Sequence, residues 1–349
     1  MLKSIKEIAW NVKEEEYRKD PAFSYSQIAK FEREGWRNLV TLFDRVDTPS
    51  LTFGSAVDTL TLPVEGEKQF NDLFMICDFP ALSDTLISIT KDLFALFGKK
   101  YAKLSDIPEV EISNAAIRNN YYVADRYAAF RVKTIKEQCE EYYKLLALAG
   151  DKTILSSEDY KDVLDCVNEL KSNKYSKPFI VSDPWDKETE LVYQLKFKGN
   201  FQGIQLRCMF DALKVDHANK IIMPIDLKTT GHPEEEFESS FFKWKYYIQA
   251  RLYTYILKQN LEKDDYFKDF NVLFYRFVVI NRKTKSPIVW IFDGSQSNKD
   301  LYYKNELYRD WRPIVEELDW YLKNPDTQYE QKVLKSLESS GGVKISYDI

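Results

Sequence analysis

The first half of the chain carries apolar residues at helical spacing. Ser24 stands three residues before Gln27, which is the arrangement of a capping box that opens a helix. Residues 1–180 are therefore predicted to be mainly helical. The segments with this pattern are SYSQIAKFER, LTFGSAVDTLTLP, SDTLISITKDLFALFGKK, the stretch from Asp125 to Gly150, and SSEDYKDVLDCVNELKSN.

The pattern changes near Glu188 to short apolar runs separated by turn residues. Three antiparallel strands in a meander are predicted in ETELVYQLKFKG, IQLRCMFDALKV and KIIMPIDLKTT. A helix is predicted in SSFFKWKYYIQARLYTYILKQN, and two strands joined by a hairpin in NVLFYRFVVINRKTKSPIVWIFD. Residues 298–324 predict a last amphipathic helix. The fold class is therefore α/β, with a mixed central sheet flanked by helices and a mainly helical N-terminal portion.

This reading divides the chain into a helical portion at residues 1–180, a core at 181–324 and a polar tail at 325–349. The 349 residues, 44% of them hydrophobic, can bury a substantial core. We expect the helical portion and the core to form one compact folding unit.

Composition excludes several kinds of chemistry. The four cysteines are far apart in sequence and are expected to be reduced thiols, and two histidines leave few candidates for a Ser-His-Asp triad or a zinc site. The net charge of −5 counts against a protein that coats nucleic acid, although a local basic groove remains compatible with it. The start, MLKSIKEIAW, lacks a signal-peptide pattern and no run is long enough to span a bilayer, so a cytoplasmic location without membrane contact is expected.

Carboxylates and a lysine stand where strands are predicted. Asp226 and Lys228 share one face of a strand that is otherwise apolar, and burying such charges is costly unless they are paired or bound to a metal ion. Asp211 lies among apolar residues of the preceding strand, on the face of Arg207. If the two strands pair through VDHANK, Asp211 and Asp226 meet, and a hard divalent cation would hold both ionised. A simple Asp226–Lys228 salt bridge is the alternative.

Other candidates are less specific. Glu190 on the strand before could be a third carboxylate ligand or a solvated residue near a strand start. Asp58 lies among apolar neighbours in a helix and needs a partner. Gln249 and Tyr253 share one helix face, either at the site or in local hydrogen bonds.

A possible DNA-contacting surface lies at the start of that helix. Lys243 and Lys245 alternate with aromatic residues in FFKWKYY. An amphipathic face with solvated lysines is the alternative.

Taken in order, these segments resemble the PD-(D/E)XK nucleases of the RecB-like and lambda-exonuclease-like branch, most closely the phage-type RecE (exodeoxyribonuclease VIII) relatives. The D-x-K motif alone is common, so the order of the motifs carries more weight than any one of them. The resemblance spans residues 24–292 and rests on SYSQIAKF, FGSAVDTLTL, ILSSEDYKDVLDCVNEL, the Glu190 strand, LRCMFDAL, IDLKTT and the Q-x-x-x-Y spacing of Gln249 and Tyr253.

The resemblance implies roles for individual residues. Asp211 and Asp226 would bind Mg²⁺ or Mn²⁺ together with the Leu227 carbonyl, and Lys228 would assist the attacking water. Gln249 and Tyr253 would support the site or contact the DNA strand, and Arg207, Lys243 and Lys245 are further candidates for that role. Asp58 stands where the family commonly has a histidine, which leaves the metal preference open. No iron-sulfur cluster is expected.

The activity implied is a metal-dependent exonuclease on double-stranded DNA ends, which serves phage-type recombination or repair in the cytoplasm of a phage-infected or bacterial cell. A single-strand annealing protein as partner and a ring-shaped homo-oligomer are implied as well. Two alternatives stay open: a non-catalytic DNA-binding protein that keeps the nuclease fold, and an endonuclease on the same core.

Overall fold

The computed structural model describes residues 2–44, 48–78 and 81–343. The chain divides into two compact units, which we call the sheet unit (Met1–Glu67 with Asp165–Ile349) and the insert unit (Lys68–Leu164). We expected instead one compact folding unit, with a helical portion that ends near residue 180. The reason for the difference is that the N-terminal segment joins the sheet: the Trp10 amide donates to the Lys196 carbonyl over 2.8 Å.

Helices make up most of the chain before residue 180, as predicted. The helices are α1 (Glu14–Lys19), α2 (Tyr25–Glu34), α3 (Pro49–Thr61), α4 (Phe70–Leu73), α5 (Asp84–Phe97), α6 (Glu109–Arg118), α7 (Ala128–Ala149), α8 (Ser157–Ser172), α9 (Lys177–Ile180), α10 (Phe237–Lys243), α11 (Tyr246–Leu261), α12 (Trp311–Lys323) and α13 (Gln331–Ser340).

The strands lie mainly in the second half. They are β1 (Phe74–Ile76), β2 (Thr153–Leu155), β3 (Thr189–Phe201), β4 (Ile204–Asp216), β5 (Ile221–Thr230), β6 (Asn271–Val272), β7 (Tyr275–Asn281), β8 (Ile288–Phe292), β9 (Leu301–Tyr303) and β10 (Glu306–Tyr308).

The central sheet of the sheet unit is mixed and has the strand order β3–β4–β5–β7–β8, with β6 paired to β5. Strands β3, β4 and β5 form the predicted antiparallel meander, and β7 and β8 form the predicted hairpin. Strand β7 runs parallel to β5, because α10 and α11 form the connection between them. Many buried residues of the sheet, Phe197 and Phe210 among them, belong to the same hydrophobic core as α11 and α12. The α/β class with a mixed sheet and flanking helices is therefore confirmed.

The insert unit is built on helices α5, α6 and α7. Their apolar faces meet in a core of their own, which includes Ile89, Leu93, Ile112, Ile135 and Tyr143. Strands β1 and β2 add a short parallel pair.

Two segments differ from the prediction. The helix expected over 298–324 is preceded by the β9–β10 hairpin, because Lys304 and Asn305 adopt left-handed backbone angles that turn the chain, and Asp310 then caps α12. The polar tail contains helix α13, which ends at Ser340. Residues 344–349 lie outside the described ones.

Two further expectations concern cysteines and membranes. The four cysteines are reduced thiols, as predicted. Within the described ranges, no helix combines the length and apolarity that a membrane crossing requires.

Candidate active site

The central sheet forks at Asp211 and Asp226. The antiparallel ladder between β4 and β5 runs from Asp216 and Ile221 to Ala212 and Ile225 and ends there. Beyond this point β5 continues beside β7. The carboxylate of Asp211 accepts a hydrogen bond from the Leu227 amide over 2.8 Å, in the gap where the ladder would have continued. The fork therefore brings the two aspartates together, as the hairpin prediction required.

The N-terminal segment occupies the other side of the fork. Phe23 forms a parallel bridge to Leu206, with the Phe23 amide donating to the Gln205 carbonyl over 3.0 Å and the Arg207 amide donating to the Phe23 carbonyl over 2.9 Å. The next residues open α2 through the predicted capping box, in which the Ser24 amide donates to Gln27 over 2.7 Å. This path places the first residue of α2, Tyr25, near the site.

Asp226 is held by two side chains. Its Oδ2 lies 2.5 Å from the Lys228 ammonium, and its Oδ1 accepts a hydrogen bond from the Gln249 amide group. The carboxylate is only 1% exposed. The predicted sharing of a strand face by Asp226 and Lys228 is thus realised as an ion pair, and helix α11 provides the second partner.

Lys228 carries its positive charge firmly. Burial acts against that charge, but Asp226, Tyr246 and Asp211 outweigh it and raise the pKa of the ammonium group. The Tyr246 ring centroid lies 4.8 Å from the ammonium nitrogen, at cation–π distance. In this protonated state Lys228 provides a positive charge and can donate hydrogen bonds, but it cannot act as a base.

Asp58 reaches the site because α3 packs closely on β5. A Cβ on Gly54 would meet the Thr229 hydroxyl at 2.9 Å, so only glycine allows this approach, and Asp58 follows one helical turn later. Burial raises the pKa of Asp58 to about 7; Lys228 opposes the rise and Asp226 adds to it. These effects put Asp58 within electrostatic reach of both β5 residues.

Asp211 also favours its protonated form. Burial, followed by the charges of Asp226 and Asp58, holds the pKa of Asp211 well above its ordinary value. If all three carboxyl groups were ionised, Lys228 alone would not neutralise them, which is why Asp58 and Asp211 favour their protonated forms.

An oxygen-binding divalent cation fits this donor set. The carboxylates of Asp211 and Asp226 and the carbonyl of Leu227 are hard ligands, and Mg²⁺ typically takes one or two carboxylates and keeps several waters. The side-chain oxygen of Gln249 is buried without a hydrogen-bond partner among the described residues, and a coordinated water could donate to it. No group of three or more Asp, Glu, His or Cys side chains in the described ranges is already gathered as a metal cage.

Tyrosines surround the carboxylates. Tyr253, predicted from the Q-x-x-x-Y spacing, is buried, and its ring centroid lies 5.3 Å from that of Phe210. Burial raises its pKa well above the ordinary value, and the charges of Asp226 and Asp211 contribute. Tyr275 on β7 is buried as well, and burial together with the charges of Asp226 and Asp211 raises its pKa. Gln249 therefore touches Asp226, whereas Tyr253 supports the site from within the core.

The structure does not bring Glu190 to this site. Glu190 pairs with Val215, four residues along β4 from Asp211, which is about 13 Å at the usual rise of a strand. Its half-buried carboxylate accepts hydrogen bonds from the Ser4 hydroxyl and the Ile5 amide, so it has partners without a metal ion. The expectation that Glu190 is a third ligand is corrected accordingly.

Arg207 is not a surface contact for DNA either. It is 5% exposed and donates to the Tyr17 carbonyl, with its guanidinium carbon 4.8 Å from the centroid of the Tyr17 ring. Arg207 therefore holds the N-terminal segment against β4 rather than reaching a ligand.

The predicted long helix over 239–260 is broken at Trp244 and Lys245. Lys245 has a left-handed φ of 62° and separates α10 from α11. Lys243 is exposed at this corner, and the Lys245 ammonium lies 4.7 Å from the centroid of the Tyr308 ring. Their proximity to DNA stays a prediction.

Sequence reasoning missed Tyr25, Tyr246, Tyr275 and Arg33 as neighbours of the site. Tyr25 lies within the SYSQ motif and Tyr246 within FFKWKYY. Both motifs stand out in the sequence, but roles were predicted for other residues in them. Arg33 affects the pKa of Tyr25 and Tyr246, a relationship that depends on the tertiary packing of α2 on α11.

Comparison with known proteins adds little. No family model matches the chain, and no curated protein matches it significantly. A crystal structure of a candidate exonuclease from Eubacterium rectale aligns over 87% of this chain and 97% of its own, with 11% identity and a TM-score of 0.31. Similarity at this level carries no argument about either fold or activity, so the case for function rests on the site itself.

Proposed function

We propose that this protein is a Mg²⁺-dependent deoxyribonuclease of the PD-(D/E)XK type. The observation that carries the proposal is the fork in the sheet, where two strands stop pairing at Asp211 and Asp226 and Lys228 forms an ion pair with Asp226. Burying two neighbouring carboxylates in the centre of a protein costs stability. Such a site is understandable if a metal ion and a phosphate complete it.

Each residue has a chemical role in this proposal. Asp211 and Asp226 would hold the metal ion with the Leu227 carbonyl, and Asp58 would act as a further ligand or hold a proton. Gln249 fixes the orientation of Asp226 through its hydrogen bond. Lys228, which stays cationic, would offset the negative charge that develops on the scissile phosphate and orient the attacking water.

When bound, Mg²⁺ would lower the pKa of a coordinated water and supply positive charge to the phosphate. The remaining chemistry belongs to the chain. The raised pKa values of Asp58 and Asp211 mean that metal binding displaces protons, so the site would be assembled most readily at neutral to alkaline pH.

The finer parts of the proposal come from the family resemblance alone. They are exonuclease action on double-stranded ends, delivery of the exposed strand to an annealing protein, a ring-shaped homo-oligomer, and a role in phage-type recombination or repair within the cytoplasm.

The test is degradation of end-labelled linear duplex DNA and of a covalently closed circle, with Mg²⁺ or with EDTA. Wild type is compared with Lys228→Ala and with the matched control Lys214→Ala. Lys214 lies on neighbouring β4, where its ammonium donates to the Pro178 carbonyl over 3.1 Å.

The proposal expects loss of linear DNA with Mg²⁺ in wild type and Lys214→Ala, and no loss with EDTA or in Lys228→Ala. If the circle is cut, the protein is an endonuclease rather than an exonuclease. DNA binding without cleavage of either substrate would replace the enzyme with a non-catalytic binding protein.

A further inference from the structure

Trp244 is an exposed indole with two cations at its ring. The side chain is 42% exposed, although large aromatic residues in the same helix pair are mostly covered. The Lys243 ammonium lies 5.1 Å from the ring centroid, and the Arg33 guanidinium carbon lies 5.5 Å from it. An indole kept partly in water and flanked by positive charge is suited to a ligand that is both flat and anionic.

The backbone explains why this indole is exposed. Trp244 is the C-cap residue of α10, and Lys245, with its left-handed φ of 62°, is the N-cap residue of α11. Non-glycine residues adopt this conformation only where the surrounding structure imposes it. The corner turns Trp244 away from the core, whereas Phe241 and Tyr247 on either side are buried.

Trp244 is also tied to the catalytic lysine. The Tyr25 hydroxyl donates to the Trp244 carbonyl over 2.7 Å. The Tyr25 ring centroid lies 6.2 Å from that of Tyr246, which in turn lies 4.8 Å from the Lys228 ammonium. A chain of two tyrosines thus connects the backbone of Trp244 to the fork in the sheet.

The neighbouring charges restrict the kind of ligand. Arg33, Lys243 and Lys245 would repel a cationic ligand and attract phosphates. A nucleic-acid strand combines phosphates with flat bases, and every base can stack on an aromatic ring. Two aromatic rings, Tyr25 and Tyr246, lie between the Trp244 backbone and Lys228, so a base on the indole would be a short distance from a phosphate bound at the fork.

We propose that Trp244 is a stacking platform for one base of the DNA strand whose phosphate reaches Lys228, with Arg33 and Lys243 contacting the adjacent backbone. This inference rests on the proposed nuclease function and adds a substrate subsite to it.

The experiment uses 2-aminopurine, placed one position at a time near the end of a short DNA, with wild type, Trp244→Ala and Trp244→Phe in EDTA. Trp185→Ala is the matched control, since Trp185 is 88% exposed elsewhere in the sheet unit. Fluorescence reports stacking, anisotropy reports affinity, and initial rates with Mg²⁺ give kcat and KM. Thermal melting verifies that each variant is folded.

We expect one position to be quenched by wild type and by Trp244→Phe, but not by Trp244→Ala. Because stacking on an aromatic side chain changes affinity substantially, KM in Trp244→Ala should rise about tenfold while kcat changes little. Removal of the base at that position should weaken wild type about tenfold and leave Trp244→Ala unchanged. Trp185→Ala should behave as wild type.

The inference is overturned if Trp244→Ala quenches and binds as wild type does, or if base removal weakens both proteins equally. Failure of the proposed function looks different: wild type itself would leave DNA intact in Mg²⁺, whatever the Trp244 variants do.

Discussion

The Leu227 amide donates to the Asp211 carboxylate over 2.8 Å, just beyond Ala212 and Ile225, the last pair of the β4–β5 ladder. The side chain of Asp211 therefore takes the place of a backbone acceptor. One of its oxygens accepts from β5, and the other has no hydrogen-bond partner among the described residues, which leaves it available to a ligand. The site and the fork in the sheet are two aspects of the same arrangement.

This double role predicts that Asp211→Asn and Asp211→Ala separate stability from activity. An asparagine oxygen can still accept from Leu227, and loss of the buried charge relieves repulsion from Asp226, so Asp211→Asn without metal should be as stable as wild type or more so. Asp211→Ala leaves the amide unpaired and should lose about 1–3 kcal/mol. Urea unfolding in EDTA measures both.

Both variants should cleave DNA at least about 10²-fold more slowly with Mg²⁺, because a charged group at the reacting centre is lost. If Asp211→Asn retained full activity, Asp211 would have only its structural role.

Gln249 predicts a second separation. Its amide group donates to Asp226, and the outer partners of metal-binding carboxylates usually contribute about 10- to 100-fold to metal affinity or activity. Gln249→Leu should therefore raise the Mg²⁺ concentration needed for half-maximal cleavage by about that factor. The measurement is a Mg²⁺ titration of the initial rate.

Gln259→Leu is the matched control for this helix. Gln259 lies on α11 as well, but its amide group donates to the Asn200 carbonyl over 2.8 Å. The Mg²⁺ requirement of this variant should equal that of wild type. An equal shift in both variants would indicate a general loosening of α11 and would contradict the specific role of Gln249.

The close approach of α3 to β5 gives a third prediction. Gly54→Ala places a Cβ 2.9 Å from the Thr229 hydroxyl, so the helix must move and carry Asp58 with it. A displacement of about 1 Å near reacting groups can cost about 10²-fold in rate. We expect kcat to fall by at least about tenfold, while the alanine's better helix propensity offsets part of the packing cost.

Gly231→Ala serves as the control, since a Cβ there meets nothing within 4 Å. It should change neither the rate nor the melting temperature. If Gly54→Ala cleaves DNA at the wild-type rate, Asp58 does not need its present position for activity.

Local patterns were sufficient to predict much of the site. Period-2 alternation put Asp226 and Lys228 on one face, and the short VDHANK turn brought Asp211 to them. The α/β class followed from the change of periodicity near residue 188. These features depend on neighbours in sequence or on one hairpin, so the pattern contains the required information.

Long-range packing was not predictable in the same way. Glu190 shares a face with the site, but its carboxylate is taken by the N-terminal Ser4 and Ile5, 185 or more residues away in sequence. The helix break at Lys245 could not be predicted, because no glycine or proline stands there. The insert unit likewise shows apolar periodicity that does not reveal which core it joins.

The pKa values of Asp58 and Asp211 predict how stability and metal binding depend on pH. Both pKa values are raised in the folded state, that of Asp58 to about 7, so the folded protein holds protons that the unfolded chain releases near pH 4. The contribution of Asp58 to the stability of the metal-free protein should therefore fall as pH rises from about 4 to about 7 and then level off, and that of Asp211 should fall in the same direction. Lys228, whose pKa is raised, contributes equally throughout this range.

Mg²⁺ would displace these protons, so its affinity should rise by up to about tenfold per pH unit for each proton released, between about pH 5.5 and 7. Melting temperatures at pH 5.5 and pH 8, in EDTA and in Mg²⁺, measure the effect: the gain from Mg²⁺ should be larger at pH 8. In Asp58→Asn one of the titrating groups is gone, so the metal-free protein should lose less stability between these pH values. A Mg²⁺ gain that is equal at both pH values, or an unchanged pH dependence in Asp58→Asn, would mean that these carboxyl groups do not exchange protons for the metal ion.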